Sequence, residues 1–366
     1  MSAKIKNIVT VCLVSAFLFG FSAWGIFAPK ASYSVSERRP LAAFPTLSTR
    51  LVLNGEFTSS FEDYALDVFP LRDSFRTLKA VTVFYTFRQK DNNNIYIKDG
   101  YASKLDYPMN SQSIEYALSR FRYVYDTYMA DTDVNMYFSV IPDKNYFMAG
   151  QSGYPSIDYE LFLDKFRDGT DYAEFIDIFG LLELSDYYRT DTHWRQEKIT
   201  DVARQLALSM GTALTADYTV NKADTQFYGV YYGQSALPLP AEDIYYLNNE
   251  ILNNCRVYDY ETDSYTEVYA LDKAAGNDPY EMFLSGSKSL LVIENPAASS
   301  EKELIIFRDS FGSSITPLLA EGYSRITLVD IRYLSPQLLG RFVDFTNQDV
   351  LFLYSTLVLN NSEMIK

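Results

Sequence analysis

The stretch ELIIFRDSFGSS, residues 303–314, passes from an apolar run through a short polar turn into a segment that reads as helix over Ser313–Leu319. An apolar run of this length, closed by polar residues, is the signature of a strand covered on both faces, as in parallel sheets. The pattern recurs along the chain. Val134–Ile141 (VNMYFSVI) reads as a buried strand ending at Pro142-Asp143-Lys144, and Arg325–Val329 and Asp349–Tyr354 as further strands, with a short one at Phe175–Ile178. Helices are predicted over Gln112–Met129, Leu161–Phe166, Gln196–Met210 and Pro336–Phe342. Strands alternating with helices give a three-layer α/β/α fold with a mostly parallel sheet.

The N-terminal end has a different character. Ile8 to Phe27 is apolar without a charge, preceded by Lys4 and Lys6. About 20 residues at 1.5 Å rise cross a hydrocarbon core of roughly 30 Å. Basic residues on the N-terminal side leave that end in the cytoplasm and the rest extracellular. A cleaved signal peptide is the alternative. Its apolar core is shorter, about 7–15 residues, and ends at a small-x-small site. Here bulky Phe17, Phe19, Phe21 and Trp24 and the poor site Ala23-Trp24-Gly25 favour a retained, single-pass anchor. Cys12 lacks the setting of a lipid-modified cysteine. The expected organisation is an anchor over residues 1–28, a juxtamembrane arm over 29–56 holding Pro29, Pro40 and Pro45, and an α/β domain over 57–366. Within that domain Phe57 to about Arg88 reads as helix interrupted before Pro70, because a residue preceding proline avoids the helical region. Ile95-Tyr96-Ile97 reads as a strand entering an Asp99-Gly100 turn, and about 215–290 as a Tyr-rich insertion of strands and loops.

Composition narrows the functional classes. The 366 residues are 48% hydrophobic and 22% charged, ordinary for a packed globular protein. The net charge of −15 argues against nucleic acid and against anionic surfaces bound by bulk charge. The 31 Tyr and 25 Phe suit a carbohydrate-binding surface or a ring-filled core equally well. Cys255 is the only cysteine outside the anchor, so no intrachain disulfide can form between extracellular cysteines.

Two segments combine reactive side chains with suitable local structure. Asp191-Thr192-His193-Trp194, directly before the helix predicted from Gln196, holds the chain's only histidine. A lone histidine is more often a surface or core residue. An aspartate two positions earlier, however, can fix its tautomer and stabilise the imidazolium. Ser310 would stand at the C-terminal edge of the sheet, where α/β proteins place their sites, with helix N–H groups able to receive an oxyanion. The plainer reading makes Ser310 or Ser313 a helix N-cap. One histidine and no cysteine cluster fall short of a metal ligand set, so neither metal nor other cofactor is expected.

Together, Asp191-Thr192-His193-Trp194 and Arg308-Asp309-Ser310-Phe311-Gly312 resemble the motifs of the DHHW protein family, which is similar to the alginate O-acetyltransferase proteins of the SGNH-hydrolase-like class. Ser36–Leu41, Phe57–Arg72 (with Asp67, Phe69-Pro70 and Arg72), Ile95–Gly100, Ile141–Lys144, Tyr228-Gly229 and Asp330–Tyr333 resemble further family blocks in order. The resemblance implies an SGNH-hydrolase-like fold of permuted motif order, with the Asp-x-His block ahead of the serine. It makes Ser310 the nucleophile, His193 the general base and Asp191 the residue that orients it. Thr192 stands where the family name has His, and Arg308 where ordinary SGNH hydrolases have Gly. The implied activity is O-acyl transfer, of acetyl, to a cell-surface polysaccharide or cell-wall glycan, with a membrane-bound acyltransferase as a partner. Water as acceptor would make the same site an esterase, and a non-catalytic carbohydrate-binding or assembly module would keep the same fold. Four further residues are candidate substrate contacts. Lys144 and Arg332 follow predicted strands, and each reads as a substrate contact or a structural ion pair. Asp309 is a contact or holds the turn. Trp194 is a sugar-stacking wall or core packing.

Overall fold

The structure is a computed structural model describing residues 2–298 and 300–366. The chain divides into two compact units, Met1–Asn93 with Tyr232–Pro238, and Asn94–Tyr231 with Leu239–Lys366.

The first unit begins with α1 (Ala3–Phe27), capped by the Ser2 hydroxyl and with no buried residue. It is long and apolar enough to cross a membrane, as an anchor or a signal sequence would be. The following segment, expected as an extended arm to residue 56, is only partly extended. It forms a two-residue antiparallel pairing of β1 (Tyr33–Ser34) with β2 (Arg39–Pro40), then α2 (Thr49–Leu53). The predicted helix broken at Pro70 is α3 (Glu56–Asp67) and α4 (Arg72–Val81), continued by a π-helical turn over Thr82–Thr86. Charge ties the arm to the helices. Asp67 accepts two hydrogen bonds from the Arg39 guanidinium (2.8 and 2.6 Å) and one from the Ala42 amide. Glu37 pairs with Arg72 (2.6 Å) and Arg76 (3.1 Å). The Arg39 hydrogen bond holds the Asp67 carboxyl down to about 2.

The second unit opens with the hairpin β3 (Ile95–Lys98) and β4 (Tyr101–Lys104). Its turn residues Asp99 and Gly100 have φ of 51° and 82°, the left-handed pair that a two-residue type I′ turn needs. There follow α5 (Ser111–Tyr128), β5 (Asn135–Ile141), α6 (Lys144–Ser152), α7 (Tyr159–Gly169) and β6 (Glu174–Phe175). Next come α8 (Thr200–Ser209), β7 (Thr219–Lys222), α9 (Val230–Ser235), which belongs in part to each unit, β8 (Tyr245–Asn248) and α10 (Glu250–Asn254). The remaining elements are β9 (Arg256–Asp259), β10 (Ser264–Thr266), β11 (Leu290–Glu294), β12 (Glu303–Arg308), α11 (Gly312–Leu319), β13 (Arg325–Val329), β14 (Asp349–Ser355) and α12 (Thr356–Leu359).

Eight strands form one sheet in the order β10-β9-β11-β13-β12-β14-β5-β6. From β13 to β6 the pairings are parallel, and from β10 to β13 antiparallel. The sheet is therefore mixed and mostly parallel. Alternate residues of the strands feed two apolar clusters. Leu304, Ile306, Leu351 and Leu353 pack with Val202 and Leu206 of α8 and Ile315 and Leu318 of α11. Ile305, Phe307, Phe352 and Phe138 pack with Phe121 of α5 and Phe162 and Phe166 of α7. Both faces are covered, which is why the strands read as unbroken apolar runs.

Two expectations are corrected, and one question left open is narrowed. The 215–290 stretch is not wholly an insertion, since its strands β9 and β10 extend the main sheet through β11. The helix expected from Gln196 is a 3-10 turn over Gln196–Lys198 followed by α8 from Thr200, and Pro336–Arg341 is 3-10 rather than α. Many of the tyrosines belong to the interior, with Tyr96, Tyr187, Tyr188, Tyr323 and Tyr354 fully buried.

Phe138 stacks on Phe166 at 5.6 Å and meets Phe121 edge-on at 5.6 Å. Phe138→Ala is expected to lower stability by roughly 3–5 kcal/mol, read from urea unfolding, because the surrounding rings close only part of the cavity. A loss under about 1 kcal/mol would contradict this packing.

Candidate active site

β12 lies between β13 and β14, and the chain turns sharply after it. The turn is made by Asp309, whose buried carboxylate accepts from the Phe311 amide (3.0 Å) and, through its other oxygen, from the Ser355 amide at the end of β14 (2.8 Å). Asp309 is therefore a turn-former rather than a substrate contact. Arg308 is wholly buried; its guanidinium donates to the Asp309 carbonyl (3.3 Å) and lies 3.8 Å from Asp330. Room for it exists because residue 312 is glycine: a Cβ there would come within 2.7 Å of the Arg308 Cβ. Ser310 follows, half-buried at the carboxyl edge of the sheet. The amides of Phe311, Gly312 and Ser313 are already bonded within the turn, to Asp309 and Ser310. The expectation that they receive an oxyanion is corrected accordingly.

The histidine loop is built from the other side. The Tyr188 amide donates to the His193 carbonyl and the Arg195 amide to the Asp186 carbonyl, closing the loop on itself. Glu242 accepts the amides of Arg189 and Thr190, both at 2.8 Å. Lys144, 2% exposed, donates to the carbonyls of Tyr188 (2.9 Å) and Arg189 (3.1 Å) and lies over the Tyr231 ring. It braces the loop and is not open to substrate. Arg332 is likewise committed, as a bidentate partner of Asp330 at 2.9 and 2.6 Å.

Trp194 is fully buried and offers no face to a sugar. Its indole N–H reaches the Phe311 carbonyl (3.2 Å) and the Ser314 hydroxyl (2.9 Å), and the Gln196 amide donates to the Ser314 carbonyl (2.7 Å). These bonds fasten the histidine loop to α11. They bring His193 Nε2 to 2.8 Å from Ser310 Oγ, while Nδ1 lies 2.6 Å from Asp191 Oδ1. A carboxylate only accepts, so Nδ1 carries the proton and Nε2 is left to accept from the serine hydroxyl. The other Asp191 oxygen accepts the Val230 amide at 2.8 Å. That approach requires glycine at 229, where a Cβ would come within 2.3 Å of the Asp191 backbone nitrogen.

The sequence reading missed Tyr280. Its buried ring stacks on the imidazole at 3.8 Å and 8°, and its hydroxyl donates to Ser314 at 2.7 Å. It lies in a short 3-10 turn, Pro279–Met282, within a Tyr-rich stretch, and no local pattern marks it. Gly229 had a signal, the family-like Tyr228-Gly229 block.

Burial lowers the Lys144 ammonium from 10.5 to about 7. The stability linked to this group is complete above about pH 10.5 and is lost as pH falls through about 7, because the unfolded chain takes up the proton first. Lys144→Met is expected to flatten that part of the pH–stability curve, measured by urea unfolding between pH 7 and 10. Parallel curves for the two proteins would refute it.

The sequence matches no family model and no curated protein. Solved structures match in fold. A DHHW family protein from Eubacterium siraeum is 19% identical over 75% of this chain and 95% of its own, with a TM-score of 0.62. Bacillus cereus PatB1, solved with a sulfonyl adduct, is 20% identical over 74% of this chain and 97% of its own, with a TM-score of 0.60. The O-acetyltransferase domain of Pseudomonas putida AlgJ is more distant, 12% identical over 73% of this chain and 92% of its own, with a TM-score of 0.45. The DHHW resemblance carried by the motifs is thus matched by likeness of fold to a DHHW family protein over three quarters of the chain.

Proposed function

We propose that the chain is a membrane-anchored, extracytoplasmic O-acyltransferase that moves acetyl groups through Ser310 to a cell-surface polysaccharide or cell-wall glycan. The observation that carries this reading is the unbroken run from Asp191 to His193 to a half-buried Ser310, at 2.6 and 2.8 Å. The DHHW-like motifs supply the acceptor class, and α1 supplies the location.

In the first half-reaction Ser310 Oγ attacks the acyl carbonyl and its proton passes to His193 Nε2. The C–O bond to the donor then breaks, and the imidazolium returns the proton to the leaving oxygen. In the second half a sugar hydroxyl gives its proton to Nε2 and attacks the acyl-serine. Ser310 leaves and takes the proton back. Asp191 holds the tautomer in both halves and stabilises the imidazolium. The Tyr280 ring, parallel to the imidazole, restricts its rotation. A membrane-bound acyltransferase partner would deliver the acyl group to Ser310.

Ser310→Ala and His193→Ala are each expected to reduce acetyl-ester turnover at least about a thousand-fold. A sulfonyl fluoride should add its mass to the Ser310 peptide of the wild type and not to Ser310→Ala. Full activity in either variant, or a label on another residue, would remove the basis of the proposal.

A further inference from the structure

Amphipathic helices of globular proteins turn their apolar stripe inward. The helix α4 in the first unit does the reverse. Leu71 at the N-cap and Phe75 and Leu78 within the helix recur at i, i+4 and i+7 and are 52%, 38% and 60% exposed, and Tyr85, in the π turn that follows, extends the stripe. Another face of the same helix carries Arg72 and Arg76, both paired with Glu37. At the end of α3, Leu66 and Phe69 continue the exposed apolar surface.

This surface is continuous with α1. The Phe21 ring stacks on Phe69 at 5.6 Å and meets Phe75 edge-on at 5.9 Å, and a Cβ at Gly25 would touch Pro70 at 3.6 Å. Phe21 lies six residues before the end of α1, roughly 9 Å along its axis at 1.5 Å per residue. With the end of α1 at the polar boundary, the corner between α3 and α4 lies about that far inside it. Interfacial helices settle to about 5–10 Å. Backbone at that depth needs its polar groups satisfied. The corner meets the condition in part: Val68 and Arg72 donate to the carbonyls of Tyr64 and Phe69 and Pro70 has no N–H, which leaves the Phe69 and Leu71 amides to headgroup and water oxygens at that depth. Exposed Lys79 and Arg88 flank the stripe, where anionic headgroups would meet them.

We propose that the α3–α4 corner and the outward stripe of α4 insert into the extracytoplasmic leaflet beside α1, giving the protein a second, monotopic contact with lipid. The inference rests on reading α1 as a membrane span.

The test uses the full chain, with Cys12→Ser and Cys255→Ser, in vesicles of phosphatidylcholine and phosphatidylglycerol. Single spin labels at Leu18→Cys in α1, Leu78→Cys in α4 and Leu161→Cys in α7 are compared for collision with oxygen and with a water-soluble nickel chelate. The expected result is an oxygen-to-nickel ratio at Leu78 several-fold above that at Leu161 and below that at Leu18. A lipid-like ratio at Leu18 with a water-like ratio at Leu78 leaves the anchor standing and overturns the proposal. A water-like ratio at Leu18 overturns both. A label at Leu78 shielded from both reagents means that protein covers the stripe, which also overturns it.

Discussion

The indole N–H of Trp194 has two acceptors, the Phe311 carbonyl and the Ser314 hydroxyl, and both belong to the segment that follows Ser310. Leaving a buried donor of this kind unpaired would cost roughly 1–3 kcal/mol. The loop bearing His193 and the helix behind Ser310 therefore meet in one register, although 117 residues separate the two reactive side chains. Gln196 adds a second tie to the same turn of α11, and Tyr280 closes a third side by bonding Ser314 while its ring covers the imidazole. The spacing between Nε2 and Oγ thus follows from packing two bonds away from the chemistry. Ser314 is the common point of these ties, a residue with no reactive role of its own.

Around this fastening the protein buries several ionisable groups. Asp191, Asp309, Asp330 and Arg308 are fully buried, and Lys144 nearly so. Isolated, each would be expensive. The carboxylates are met by amides or guanidinium, and Lys144 by two carbonyls. Such groups fix backbone turns more than they add net stability. Asp309 spans the ends of two parallel strands, Lys144 holds a loop that has little regular structure, and Asp191 draws the Gly229–Val230 backbone against it.

The parallel strands and the serine turn were legible in the sequence because burial on both faces writes an unbroken apolar run, and because a strand must end before a polar turn. Asp191 and His193 were legible because the aspartate that orients the ring is two residues away. Lys144, Arg332 and Trp194 could be narrowed only to two readings each. The partner in each case is set by tertiary geometry: carbonyls some 45 residues on for Lys144, a turn more than a hundred residues on for Trp194. Arg332 could have been resolved locally, since Asp330 is two residues away. The edge strands β9 and β10 are too short and too mixed in character to announce that they join the main sheet.

His193 is the only histidine in 366 residues, and its ring lies flat against Tyr280. Its carbon-bound protons therefore sit in the shielding cone of a phenol. One pair of imidazole resonances, displaced upfield, reports the site alone. The protonation state of the reacting group, and any loosening of the rings that hold it, can be followed by proton magnetic resonance without assigning another residue.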